Sequence, residues 1–314
     1  MKRWGFVLLG MGLIFGALAE VAGTEPQAAG APPSSSPGKT AAKVVWTGKS
    51  GGFEIRWTTA DIQAWPLTQP DRLVFSAARL AHRGFQTFIS PPNLDGSEEH
   101  ITYEREFTLL SVVGSIISLR DELYYYVKPS AHPGVEIRFT AIDLAKPGVV
   151  PDPWAIEEGF NLKKLGKVAK LTDYFPESEV LQTLLNNAII KEALGGESPS
   201  SLVKLFSLFK EQSMEIKGVP CVFPRDFLTR FAFHHLQGDR VAVRLGLPSV
   251  GGAYRSFHAD LDLLLPIPPA LKNPLAQAAS GQEGFLLADR KKIAGEDVTR
   301  ISFSFEGTGK VKKR

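Results

Sequence analysis

Apolar and polar residues alternate strictly along much of this chain, and that alternation constrains the fold more than any other feature. Phe53, Ile55 and Trp57 alternate with Glu54 and Arg56. Ile101, Tyr103, Phe107 and Leu109 take one parity, while Thr102, Glu104, Glu106 and Thr108 take the other. Val135, Ile137, Phe139 and Ala141 alternate with Glu136, Arg138 and Thr140. Successive side chains of a strand point to opposite faces, so each segment lays one face on a core and shows the other to water. Antiparallel sheets permit this division. Val112–Leu119 and Leu123–Val127 read as two further strands, with Arg120-Asp121-Glu122 as a polar turn between them.

The period changes in the middle of the chain. Pro147, Pro151 and Pro153 make residues 145–166 read as an exposed excursion. Between Pro176 and Gly195-Gly196, the residues Leu181, Leu184, Leu185 and Ala188 form one helical stripe, predicting a helix over 177–194. A second helix follows, with Ser198 as its cap, Pro199 at its start, and Leu202, Leu205, Phe206 and Phe209 facing the core. Alternation then returns. Phe231 and Phe233 on one side of Gln237-Gly238-Asp239, and Val241, Val243, Leu245 and Leu247 on the other, read as a hairpin. Phe257, Ala259, Leu261, Leu263 and Leu265 form another strand, stopped by Pro266, Pro268 and Pro269.

Strands, then helices, then strands predict an α+β fold: antiparallel sheets with two consecutive central helices packed on one face. The domain is expected over 44–275, with a division into 44–166 and 167–275 left open. Residues 276–314 read as a C-terminal extension, rich in Ala, Gly and Ser. It holds one late strand at Ile301, Phe303 and Phe305, and a basic end of Lys310, Lys312, Lys313 and Arg314.

The first residues bear on address. Lys2 and Arg3 precede an apolar stretch from Trp4 to Phe15 and the small-residue pattern Ala17-Leu18-Ala19. This order marks residues 1–19 as a secretory signal peptide, cut after Ala19 or, second, after Gly23. Retention as an uncleaved anchor stays open, and no second apolar run approaches the length of a membrane span. Residues 20–43, with Pro26, Pro32, Pro33, Pro37 and three consecutive serines, read as a flexible tether. The expected location is periplasmic or secreted in a bacterium. Without a cysteine at the cleavage site the chain is not expected to be lipidated. Cys221 is the only cysteine, so no internal disulfide can brace the fold. Setting aside Lys2 and Arg3 leaves 34 basic against 33 acidic residues, which gives no reason to expect a nucleic-acid partner.

Strong catalytic motifs are absent. Gly48-Lys49-Ser50-Gly51-Gly52 has the spacing of a nucleophile elbow, but a strand follows it where a helix is required, so it reads as a turn. Ser201–Lys204 and Ser207–Lys210 have serine–lysine spacing without the partner motifs of penicillin-recognising enzymes. His258, Asp260 and Asp262 would share one strand face, where an imidazole and two carboxylates can hold a divalent metal; the competing reading is an ordinary solvent face. His234-His235 is expected to split across the two faces of its strand, which excludes a bidentate site. Tyr124 and Tyr126 point one way and Tyr125 the other, leading to Ala131-His132. Tyrosines at a surface suit sugar stacking or protein contact, and buried sheet aromatics are the alternative.

The order of these segments is informative. Ser118-Leu119 and the tyrosine strand lead to Ala131-His132 and a strand ending Ile142-Asp143-Leu144. Gly166-Lys167, Leu171-Thr172-Asp173-Tyr174-Phe175 and a helix follow, and a late strand ends Leu265-Pro266-Ile267-Pro268. This order, over roughly residues 53–271, resembles the extracytoplasmic domain of RsiV-like anti-sigma factors, also found in PdaC-type peptidoglycan deacetylases. The family's Gly-Gly-Ala-His is here Pro129-Ser130-Ala131-His132, so only Ala-His is kept, and residues 145–165 are an insertion. The chain has neither the sigma-binding segment nor the deacetylase domain of those proteins, so neither activity is expected. The resemblance implies an exported, non-catalytic α+β binding domain of the cell envelope, without a cofactor, whose partner is a cell-wall hydrolase such as lysozyme or a cell-wall glycan. Tyr124, Tyr126 and His132 are the expected contact residues. An envelope hydrolase with a metal at His258, Asp260 and Asp262, and a structural envelope protein, are the alternative expectations.

Overall fold

Two long strands, β5 (His100–Val113) and β6 (Ile116–Lys128), form the spine of the structure, joined through Gly114-Ser115. A computed structural model describes residues 42–90, 100–128, 132–151, 166–209, 214–216, 218–224, 226–248, 258–306 and 310–313. The expected signal segment, the tether up to residue 41, Pro129–Ala131, most of the 145–165 insertion, Lys210 and Arg314 lie outside the described residues. Around the spine, β7 (Gly134–Asp143), β13 (Thr299–Glu306) and β14 (Lys310–Lys313) complete a five-stranded antiparallel sheet ordered β14-β13-β5-β6-β7.

The Arg120–Glu122 triplet is not a turn; it lies in mid-strand on β6. Asp121 points into the core and pairs with Arg105 of β5, whose Nε donates to Asp121 Oδ1 at 3.0 Å and whose Nη2 donates to Oδ2. Neither side chain is more than 1% exposed. Three charged residues in a row resemble a turn in sequence, but a buried partner two strand positions away neutralises the middle one.

The apolar side of this sheet is closed by the first 49 described residues. β1 (Val44–Ser50), β2 (Phe53–Thr58), β3 (Ile62–Pro66) and β4 (Phe75–Ser76) form a four-stranded antiparallel sheet. Gly51, in the β1–β2 turn, has φ +54, and a Cβ there would come 2.2 Å from the Gly114 carbonyl carbon. Only glycine lets this turn reach the β5–β6 turn.

Helix α1 (Ala77–Phe88) follows, inside a stretch whose patterning reads as mostly β. Its buried residues Ala77, Leu80, Ala81, Gly84 and Phe85 recur at helical spacing. Ser76 caps it through the Arg79 amide at 3.1 Å, and Asp61 accepts from the Ala78 amide and the Ser76 hydroxyl. Phe85 stacks on Phe303 of β13 at 4.9 Å and lies 5.4 Å from Tyr103 of β5. Trp57, Ile62, Phe75, Phe107, Leu119 and Ile142 join this core.

A second core lies around β10 (Phe231–Gln237), β11 (Arg240–Pro248) and β12 (His258–Pro266), an antiparallel sheet of three strands. Val241, Val243, Leu245, Leu261, Leu263 and Leu265 pack there with residues of α2 (Glu177–Asn186), α4 (Leu202–Phe209) and α5 (Pro269–Ser280). The predicted 177–194 helix breaks at Asn187, whose Oδ1 accepts from the Ile189 and Ile190 amides and starts α3 (Ala188–Leu194). Ser201, rather than Ser198, caps α4 through the Lys204 amide. Pro269 opens α5 instead of merely ending the strand before it. A short hairpin of β8 (Met214–Ile216) and β9 (Val219–Cys221) and a short helix α6 (Arg290–Ala294) are the remaining strands and α-helix among the described residues.

The three-stranded sheet also meets the five-stranded one. Gly246 of β11 sits on the Phe139 ring of β7, where a Cβ would approach to 2.6 Å, and Ala232 is buried beside Phe139 and Leu110. A second buried ion group adds to this junction: Asp226 pairs with Arg138 of β7 and accepts from Arg230 Nε at 3.1 Å. Residues 276–314, read from sequence as an extension with one late strand, take part in the five-stranded sheet. They supply β13, which pairs with β5 over eight residues between the rest of the sheet and β14. Nor does the chain divide at residue 166: Ala41–Arg314 is one unit, and the five-stranded sheet contributes to both cores.

Two outcomes follow from the buried charges. Removing one partner of a buried pair strands the other, at a cost of about 3–5 kcal/mol, whereas replacing both by apolar residues of similar size is often close to neutral. Asp121→Leu is therefore expected to lose most of the stability of the fold in urea titration, and Arg105→Met combined with Asp121→Leu to regain much of it. Burial raises the Asp226 carboxyl pKa, but Arg138 and Arg230 together outweigh it and hold the pKa below its ordinary value. As pH falls, the unfolded chain takes up this proton first, so the stabilisation is complete above the unfolded value of about 3.9 and is lost below it. The wild type should accordingly lose more stability between pH 5 and pH 3 than Asp226→Asn, measured by urea midpoints.

Candidate binding face

Strand pairing lines up the polar parity of the five-stranded sheet into rows. Ser302 of β13, Glu104 of β5, Tyr124 of β6 and Val135 of β7 lie opposite one another; Arg300, Glu106, Glu122 and Ile137 form the next row. Thr102 and Tyr126 are paired one step further on. Tyr124 is 40% exposed, Tyr126 and the three glutamates are half-buried, and Arg300 is exposed. Beyond Glu122 the same side passes under β10 and β11, so the face is open at one end and covered at the other.

The charges on this face are arranged. Glu106 and Glu122 lie directly opposite, which alone is unfavourable. Arg300 relieves it by bonding Glu106 through Nε at 2.5 Å and lying 3.4 Å from Glu104, while Arg120 pairs with Glu122 at 2.9 Å. The Ser302 hydroxyl donates to Glu104 at 3.1 Å. The flat surface that carries the two tyrosines is thus of mixed charge, and exposed Lys128 follows Tyr126 on the same parity.

Tyr124 and Tyr126 thus share a face. Tyr125 takes the other, packing on Phe88 of α1 at 5.2 Å. Gly134 lies against the Tyr125 ring, where a Cβ would come within 2.1 Å, so this end of the β6–β7 hairpin is tightly built. His132 is exposed and sits two residues before Gly134, at that hairpin end. Glu104 and Glu106 were legible as the wet parity of their strand. The contribution of Arg300 and Ser302 was not, because nothing in sequence shows β13 lying beside β5.

The alternative metal residues are arranged differently. Asp260 and Asp262 lie on β12, and both bind Arg244 of β11: Nε and Nη2 donate to Asp262 at 2.8 and 2.9 Å, and Nη1 lies 3.3 Å from Asp260. His258 pairs through its backbone with Pro248; its side chain lies outside the described residues. Beside Arg244, His234 and His235 do not split across the strand. A bulge shifts the register between Phe233 and His235, and the two Nδ1 atoms are 2.7 Å apart. The bulge inserts one residue and so cancels the alternation expected from the sequence.

Other reactive groups are occupied or shielded. Ser201 serves as a helix cap and the Ser207 hydroxyl donates to the Val203 carbonyl. Ser50 is buried in the β1–β2 hairpin. Lys167 is buried, with its pKa lowered by desolvation, and its Nζ donates to the Leu144 and Lys146 carbonyls. Burial pushes the Cys221 thiol up to about 11.

Comparison with known proteins returns no matching family, no matching curated protein and no matching solved structure. The geometry of the chain itself is what bears on function.

The Cys221 environment yields a direct check. A thiol that is buried and protonated at neutral pH reacts slowly. Modification by a chromogenic disulfide reagent should run about a hundredfold or more slower in the folded protein than in denaturant.

Proposed function

We propose that this protein is a non-catalytic binding domain of the bacterial cell envelope, and that the open end of the five-stranded sheet is its recognition surface. The observation that carries this reading is the placement of Tyr124 and Tyr126 on one flat face beside Glu104, Glu106 and Glu122. Tyrosines offer large, rigid contact area with a polar tip, and they are enriched among the residues that dominate binding energy. The glutamates beside the tyrosines favour a partner that brings basic groups to them. A cell-wall hydrolase of the lysozyme type has that character, and the order of motifs resembling the RsiV-like domains supports the same choice. Export rests on Lys2-Arg3, the apolar stretch behind them and Ala17-Leu18-Ala19. His132, exposed at the hairpin end, belongs at the margin of this surface.

Calorimetric titration of the purified protein with lysozyme tests the reading. Saturable binding is expected to persist at about 0.15 M salt, where exposed charges more than roughly 8 Å apart are screened. Tyr124→Ala should weaken it about tenfold or more while moving the melting temperature by no more than about 2 °C. Heat that disappears on adding salt, or affinity unchanged by Tyr124→Ala and Tyr126→Ala, would contradict it.

A further inference from the structure

The paired histidines of β10 are held in a geometry that goes beyond the binding reading above. His234 and His235 follow one another in sequence, and an unbroken strand would send them to opposite faces. Here Phe233 lies opposite Val243 and His235 opposite Ala242, so His234 is the extra residue of a bulge. Both imidazoles therefore come to one side, with ring planes 78° apart and the two Nδ1 atoms 2.7 Å from each other. His234 is half-buried and His235 exposed, so the pair is accessible to a dissolved ion.

The distance selects a type of metal. Metal–imidazole bonds are about 2.0–2.1 Å long, so two donors that keep near their 2.7 Å separation, once the rings turn to aim both lone pairs at a shared ion in place of their hydrogen bond, subtend about 82° there. That angle is near the 90° between neighbouring ligands of a tetragonal ion such as copper(II) or nickel(II). A tetrahedral zinc ion needs its nitrogens roughly 3.3 Å apart. We propose that His234 and His235 form a two-imidazole site for a tetragonal divalent metal, copper(II) foremost, with water in the remaining positions.

The surroundings suit a cation. Arg244, Asp260 and Asp262 are the charged groups facing His234 from β11 and β12, and together they carry one net negative charge. Arg244 opposes a metal, but its guanidinium is directed onto both carboxylates. Burial, with Arg244 next, lowers the His234 pKa. In the free protein one Nδ1–H is shared between the rings. On coordination through both Nδ1 atoms that proton moves to Nε2 of the same ring through solvent, so no net proton is released. Among the described residues no group of three or more His, Cys, Asp or Glu side chains is placed to hold a metal. The site is thus an open one, with exchangeable positions for water or a ligand.

The test is titration of the intact protein with copper(II), nickel(II) and zinc(II) in a non-chelating buffer at pH 7.5, followed by calorimetry and electron paramagnetic resonance. One equivalent of copper is expected, with a resonance spectrum showing splitting from two imidazole nitrogens. His234→Gln and His235→Gln should each weaken it about tenfold or more, with unchanged circular dichroism and melting temperature. Zinc should bind at least about tenfold more weakly than copper. Copper affinity retained in both variants would place the ion elsewhere in the chain and overturn the proposal. Zinc bound as tightly as copper would overturn the tetragonal assignment.

Discussion

An arginine and an aspartate shut away from water hold the centre of this fold. Arg105 and Asp121 sit on adjacent strands at the middle of the five-stranded sheet, where neither can be hydrated and each satisfies the other. Such a pair adds little net stability compared with two apolar side chains, because burying the charges costs about as much as pairing them returns. What it imposes is register: β5 and β6 slipped by one residue would leave both charges without a partner. The Arg105 guanidinium also reaches the Leu80 carbonyl of α1, tying the helix to the same point. At the edge strand β7, the Arg138–Asp226–Arg230 group makes a similar demand on the junction between the two larger sheets.

With register fixed, the alternation of β5, β6 and β13 assigns every side chain a face. One face is filled by α1 and the first four strands. The other is covered by β10 and β11 only as far as Phe139, Leu110 and Ala232. The uncovered remainder carries the tyrosines and the glutamate–arginine rows. A surface built this way is rigid before any partner arrives, because the core beneath it holds its backbone, and little ordering entropy is spent on binding. The His234–His235 pair lies on the second sheet and owes its geometry to a single bulge, a separate local device.

The α+β class was legible because a period of two survives wherever one strand face is wet and the other dry. The split of Tyr124 and Tyr126 from Tyr125 was legible on the same ground. What was hidden had specific causes. Asp121 read as part of a turn, since only the tertiary structure shows that Arg105 neutralises it. The spacing of Ala77, Leu80, Ala81, Gly84 and Phe85 carries the helical period, but it stands among strands whose alternation dominates the stretch. Asn187 broke a helix whose apolar stripe ran on past it, because its side chain offers the backbone a cap. β13 was legible as a late strand at Ile301, Phe303 and Phe305, but its place beside β5 was not, because pairing across nearly two hundred residues leaves no local trace. The bulge at His234 left none either, so counting parity gave the wrong face for one histidine.

β13 and the β5–β6 hairpin are one cooperative unit supporting the open face. Native-state hydrogen exchange of the free protein tests it most directly. Amides of β13 from Thr299 to Phe305 that bond to β5 should exchange only through global unfolding, with the same opening free energy as the central amides of β5 and β6. Exchange of β13 at a much lower opening free energy, as for a fraying terminus, would contradict this and make β13 a loosely attached strand.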